Sequence, residues 1–416
     1  MTAATFTAVF LAMLAASLAA KLWLARRQSR FVAAHRAEVP SAFVDRIALA
    51  AHQKAADYTV VRTRFGIVET GVETVLLLAL TFGGGLAALV EWTGSLGPGS
   101  LGADLALIVA VALLAGVIGL PLSYVNTFGI EAKFGFNRTT RAVWFADIVK
   151  GAAIAAVLGL PLVTLILWLM RATGPYWWLW AWLAWIAFQF LVLALYPTVI
   201  APLFNKFSPL PEGPARSAIE ALLARCGFAS KGLFVMDGSR RSSHGNAFFT
   251  GFGRARRIVF FDTLLARLAP DEVEAVLAHE LGHFRLHHVL KRMAWSAAMA
   301  LFFLALLAAL AAAPWFYEGL GVPVSPQRPG VALILFFLVL PVFTFMLGPL
   351  SSLYSRRHEF EADAFAAQNA SANALVHALV KLYEDNAATL TPDPIYSAVY
   401  DSHPPAARRI ARLRTA

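Results

Sequence analysis

Residues 105–125 read LALIVAVALLAGVIGLPLSYV, twenty-one positions without a charge. A helix of that length extends about 30 Å, the thickness of the hydrocarbon core of a bilayer. Six further stretches are long and apolar enough to do the same: residues 5–24, 68–90, 152–170, 176–196, 294–315 and 331–353. Composition agrees. Of the 416 residues, 59% are hydrophobic and 14% charged, whereas an ordinary soluble chain carries roughly 25% charge. A cytosolic, disordered or collagen-like protein is excluded. The fold class read from this pattern is an all-α membrane protein of seven transmembrane helices with a small α+β domain on one side. With Cys226 the only cysteine, there is no intramolecular disulfide and no thiolate metal site, so any metal must be held by His and carboxylates.

Charge sets the sidedness. Arg26, Arg27 and Arg30 follow the first span, and no basic residue precedes it, which favours an uncleaved helix with its N terminus outside. The loop at 91–104 has no Lys or Arg, while the next carries Lys133, Arg138, Arg141 and Lys150. Arg171 alone marks the fourth loop and Arg328 the sixth, and Arg356 and Arg357 follow the last span. Every second loop is basic, so the C terminus is expected in the cytoplasm. The formal net charge of +10 is thereby assigned to loops facing anionic lipid, and membrane lipid rather than nucleic acid is the expected partner. The Ala-, Arg- and Leu-rich composition suggests a bacterial inner membrane. The chain divides into spans one to five (1–200), a cytoplasmic catalytic segment (201–293), spans six and seven (294–353) and a cytoplasmic tail (354–416).

Within the cytoplasmic segment, residues 233–236, 246–250 and 258–261 read as short strands, the last two pairing across a turn at 251–257. Pro270, Asp271 and Glu272 then open a helix with Pro near N1 and acid at the positive end of the dipole. On it stands His279-Glu280-Leu281-Gly282-His283. Imidazoles at i and i+4 share a helix face and can grip one metal ion, while Glu280 beside them can act as general base toward a water. Catalytic zinc takes three protein ligands and leaves one position open. The third is sought after span seven, where Glu359 and Asp363 are again one turn apart. One carboxylate can bind zinc, and the other can accept the Nδ1–H of a ligand His. Spans six and seven, an even number, lie between the two half-sites, which therefore emerge on the same side. Glu361 points away from the Glu359 face; it and His358 remain alternative ligands.

Taken with further blocks, these residues resemble the zinc-dependent type I CAAX prenyl protease family, the a-factor-converting kind, within the gluzincin metallopeptidases. The blocks are Lys133 to Thr140, Pro202 to Phe207 with Pro209 to Gly213, Ser243 to Gly251, Ser402-His403-Pro404-Pro405, and Arg409. They stand in the family's order from about residue 60 onward. The resemblance implies one zinc on His279, His283 and Glu359, with Glu280 as catalytic base. It implies a catalytic or orienting role for Asp363, substrate binding by Asn246 along an edge strand, and oxyanion binding by His403. Arg409 is expected to pair with Asp363 or a neighbouring carboxylate. The implied substrate is a peptide or protein with a prenylated C-terminal Cys-aliphatic-aliphatic-X sequence or another apolar segment, entering between helices into a chamber within the membrane whose zinc site is at the cytoplasmic end. A monomer is the default expectation. His287 and His288 read as a solvated helix end, and His244 as either a strand residue or a site residue. The competing readings are a membrane-protein quality-control protease, a transporter with structural zinc, and a non-catalytic scaffold, which an intact Glu280 disfavours.

Overall fold

The computed structural model describes residues 1–97, 99–228, 232–250, 257–324 and 328–415. The N-terminal membrane part comprises α1 (Ala3–Ala34), α2 (Leu49–Leu80), α3 (Gly85–Gly94), α4 (Leu101–Tyr124), α5 (Arg141–Ile154), α6 (Leu160–Ala172) and α7 (Trp177–Leu195). Short π-helical turns extend α4 to Glu131, join α5 to α6, and carry α7 into α8 (Ala201–Phe204). Next come β1 (Phe207–Pro209), α9 (Pro214–Arg225), β2 (Leu233–Met236), β3 (Ala247–Thr250), β4 (Arg257–Phe261), α10 (Asp262–Leu265) and α11 (Pro270–Arg285). The chain then returns to the membrane as α12 (His288–Ala311), turns through α13 (Pro314–Glu318), and comes back along α14 (Pro329–Thr344) and α15 (Gly348–Asn369). It ends in α16 (Ala372–Asp385), α17 (Pro394–Tyr400) and α18 (Ala406–Leu413).

Among the described residues, six helical columns are long and apolar enough to cross a membrane, or seven when α2 and α3, bent by 54°, count as one span. The protein is an integral, multi-pass membrane protein. The bend falls inside the stretch expected to be a single helix at 68–90. Gly84 adopts φ +74° there, and a Cβ on Gly83 would stand 2.7 Å from the Ala79 carbonyl, so the glycines let the chain break where another residue would clash. The second departure is length. Helix α2 starts at Leu49 because its first half carries polar residues toward a cavity: Tyr58 and Arg62 join Lys21 of α1 and His403 around a volume of about 710 Å3. A helix lining a polar cavity does not read as apolar, so only its lipid-facing part is visible as a span.

Outside the membrane, four strands form a sheet in the order β1-β2-β4-β3. β2 and β4 are parallel, while β3 pairs antiparallel with β4, Ala247 opposite Phe260 and Phe249 opposite Ile258. The predicted pairing is present. Residues 251–256 of its turn lie outside the described residues. β3 is an edge of the sheet. One core joins the sheet to α9, α11 and α16 through Ile258, Phe260, Ile219, Leu222, Leu277 and Leu379, and the linker residue Phe43 is buried in it.

At the opposite end of the membrane part, α14 begins beside a buried charge cluster. Arg328 donates to Asp104 Oδ1 (3.1 Å), Thr93 Oγ1 (3.0 Å), Ala103 O (2.9 Å) and Val90 O (2.6 Å), and Arg171 also reaches Asp104. Asp104 and Arg328 are both buried, and Gly330 makes room, since a Cβ there would come within 2.9 Å of Asp104. The cluster ties α3, α4, α6 and α14 together. Removing one member of a buried pair strands the other charge, at about 3–5 kcal/mol. Asp104→Ala is therefore expected to lower the unfolding midpoint in detergent clearly, whereas an unchanged midpoint would show that the cluster does not hold these helices.

Candidate active site

Helix α11 is anchored before it reaches the site. Glu272 accepts from the Ala269 N–H at 2.8 Å and from Lys381 Nζ at 2.6 Å, closing the helix start. Nearly three turns further on, α11 lies against α15 at Gly282. A Cβ there would stand 3.0 Å from Ala362 Cα and 3.1 Å from Phe365 Cβ, so glycine lets the two backbones approach closely enough for their polar faces to meet. At that crossing His279, His283 and Glu359 converge, with ligand atoms all within 4.8 Å of one another. Nε2 of His283 is 3.2 Å from Nε2 of His279 and 3.3 Å from Glu359 Oε1, and His279 Nε2 is 3.5 Å from Glu359 Oε2.

Asp363 stands behind His279. Its Oδ1 is 2.9 Å from His279 Nδ1, and Arg409 of α18 grips the same carboxylate through Nε (2.9 Å) and Nη2 (2.6 Å). Arg409 and Asp363 are both buried, and such a fork is the strong form of the pair. Burial alone would lower the His279 imidazole, but the Asp363 and Glu359 carboxylates outweigh it and raise it to about 9. The Glu359 carboxylate is buried, and ring nitrogens face both of its oxygens: His283 Nε2 lies at Oε1, and His279 Nε2 and His403 Nδ1 lie at Oε2. A divalent ion accounts for all three ligand atoms at once, which one proton does not. The residues fit a metal of the kind that imidazole and carboxylate bind in tetrahedral sites.

Glu280, half-buried, is set beside this cluster. Burial raises its carboxyl above the usual carboxylate range, while His279, His283 and His403 pull it back down. His403, with 61% of its side chain exposed, places Nδ1 2.7 Å from Glu359 Oε2 and lines the cavity wall. Asn246 is exposed at the head of edge strand β3, its backbone carbonyl accepting from Phe261 N at 2.9 Å and its Oδ1 from Ala247 N at 2.8 Å. Its neighbour His244 makes other contacts: Nδ1 is 3.0 Å from Asn386 Oδ1, Nε2 is 3.7 Å from Glu131, and the ring stacks on Phe136 at 4.7 Å. Glu131, which also accepts from Tyr58 at 2.6 Å, has no mark in the sequence because it lies in a π-turn two spans away.

Two expectations need correction or closing. Glu361 does not reach the His279–His283 cluster; it is 3.0 Å from His288 Nε2 and accepts from Arg357 at 2.9 Å. His287 is exposed, but His288 is wholly buried and not a solvated helix end. The reason is the chain reversal between α11 and α12, where His287 takes a left-handed φ of 57° and folds the next residue back beneath His283. No local spacing rule signals that.

Residues 28–206 match the family described as CAAX prenyl protease N-terminal, five membrane helices, and residues 209–416 match Peptidase family M48. A rice (Oryza sativa subsp. japonica) protein named CAAX prenyl protease 1 homolog is 36% identical over 374 residues, 88% of this chain and 87% of that one. CAAX prenyl protease 1 of Saccharomyces cerevisiae is 35% identical over 319 residues, 72% and 69% of the two chains. The crystal structure of S. mikatae Ste24p superposes with a TM-score of 0.91 at 29% identity, covering 98% of this chain and 99% of that one. Sequence, helical architecture and the two facing half-sites thus agree, and the chain belongs to peptidase family M48, among its membrane-embedded metallopeptidases of the CAAX prenyl protease kind.

Proposed function

We propose that the protein is a zinc endopeptidase that removes the C-terminal residues of a prenylated CAAX-type peptide, working as a single chain with its site toward the cytoplasm of a bacterial cell. The observation that carries this reading is the convergence of His279, His283 and Glu359 beside a polar cavity walled by α1 and α2. Zinc on these three side chains would supply Lewis acidity, acidifying a water and polarising the scissile carbonyl. Glu280 takes the proton of the attacking water and delivers it to the leaving amine. His403, at the open side of the cluster, donates an N–H to the oxygen on which negative charge develops. Asp363, held by Arg409, keeps the proton of His279 on Nδ1 and its lone pair on Nε2. Asn246 aligns the substrate backbone along the free edge of β3. The basic residues Lys133, Arg138, Arg141 and Lys150 on the same face as the site support the cytoplasmic orientation, and the names of the rice and yeast relatives support the substrate class.

The test compares one CAAX peptide, farnesylated and unfarnesylated, incubated with detergent-purified protein and read by mass spectrometry. Loss of the last three residues from the farnesylated peptide alone is expected. Equal cleavage of both would remove the lipid preference and favour general membrane-protein degradation. No cleavage by zinc-loaded protein would overturn the substrate assignment. In the same assay His403→Ala is expected to lower kcat by about 10²–10³-fold, and an unchanged kcat would remove His403 from the reaction.

A further inference from the structure

Two histidines hold the proposed metal, and their backs are built differently. His279 rests on the Asp363 carboxylate, whereas His283 rests on another imidazole. Nδ1 of His283 is 3.0 Å from Nδ1 of His288, and Nε2 of His288 is 3.0 Å from Glu361 Oε2. Glu361 is braced in turn by Arg357 at 2.9 Å. His288 has 0% exposure, and one face of its ring is covered by His358, with centroids 4.0 Å apart and planes 9° from parallel. A fully enclosed imidazole with a partner on each nitrogen has a single orientation.

The protons along this chain are fixed by elementary bookkeeping. If His283 turns the lone pair of Nε2 toward a metal, its proton is on Nδ1 and is donated to His288. His288 then accepts at Nδ1, so its own proton is on Nε2 and is donated to Glu361. Every link has one donor and one acceptor with all rings neutral. We propose that His288, backed by Glu361, is the positioning residue of His283, fixing its tautomer and ring angle for the metal as Asp363 and Arg409 do for His279. This rests on the zinc reading above. The alternative, a second metal held by His288, His358 and Glu361, has the ligand atoms close enough but not the directions. Lone pairs lie in the ring planes, and two stacked rings 4.0 Å apart and 9° from parallel hold them in separate planes that do not meet at one ion. Both nitrogens of His288 are also already engaged.

The experiment is zinc titration of the full-length protein in detergent against a competing fluorescent chelator, alongside thermal unfolding of the metal-free forms. His288→Phe is expected to weaken zinc binding by about 10–100-fold, the usual effect of losing an outer partner of a ligand His. His288→Gln, whose amide oxygen can still accept from His283, should recover most of that loss. Glu361→Ala, at a half-exposed position, should weaken zinc binding in the same direction and carries the test if His288→Phe does not fold. Wild-type zinc affinity in either of the disabling variants, with only the unfolding midpoint changed, would overturn the proposal. So would two zinc ions per wild-type chain with the second lost in His358→Ala. A wild-type chain that takes up no zinc at all would instead overturn the metal reading on which the proposal stands.

Discussion

Glu280→Gln should abolish peptide hydrolysis while leaving one zinc per chain. The amide has nearly the shape of the carboxyl but cannot accept a proton, so the water loses its base and the leaving amine its acid. General acid–base groups contribute on the order of 10²–10⁴-fold, and at 1.36 kcal/mol per tenfold the middle of that range is about 4 kcal/mol of barrier. The proposed ligands are untouched, because Glu280 lies beside His279 on the helix and not among the atoms that converge. The check is single-turnover cleavage of the farnesylated peptide together with metal analysis of the same preparation. Near-normal turnover would show that another group acts as base. Loss of zinc along with activity would show that Glu280 helps to hold the ion.

Glu359→Gln should weaken zinc binding more than Asp363→Asn does. Glu359 brings one oxygen to within 3.3 Å of His283 Nε2 and the other to within 3.5 Å of His279 Nε2, so its substitution removes the charge of the one carboxylate that faces both imidazole nitrogens in the cluster. Asp363 acts through His279 Nδ1, and loss of such an outer partner costs about 10–100-fold in metal affinity. Competition titration of the two variants against the wild type tests the order. Equal losses, or a smaller loss in Glu359→Gln, would return the third position to His358 or Glu361. The observed pairing of Glu361 with His288 and Arg357 stands against that outcome.

The seven spans were legible because lipid imposes one rule on every residue that faces it, and stretches such as 105–125 obey it without exception. The rule lost force where helices face water inside the membrane: the first half of α2, with Arg62 and Tyr58 toward the cavity, reads as a loop by hydropathy. The zinc helix was legible from local geometry alone, since i and i+4 on a helix place His279 and His283 together regardless of the rest of the fold. Asp363 was reached from its one-turn spacing to Glu359, whereas Arg409 and His403 were reached by adding the resemblance, because their contacts with the site join segments dozens of residues apart or more. His288 was misread. Two histidines beside a helix end look solvated in sequence, and only the left-handed turn at His287 turns one of them inward. α9, α16 and α17 carry no motif, and their amphipathic faces become informative only once the core they cover is known.

Helices α14 and α15 form one nearly unbroken column from Pro329 to Asn369, with the Arg328–Asp104 cluster at its foot and Glu359 close to its top. Thirty-one residues of helix separate Arg328 from Glu359, roughly 46 Å at the ordinary rise. The proposed third ligand is thus mounted on a strut whose other end is fixed across the bilayer. His279 and His283 instead ride on α11, which stays outside. A tilt of the column imposed by bilayer thickness would reach Glu359 as a mechanical load, borne at the Gly282 crossing where α11 packs on α15.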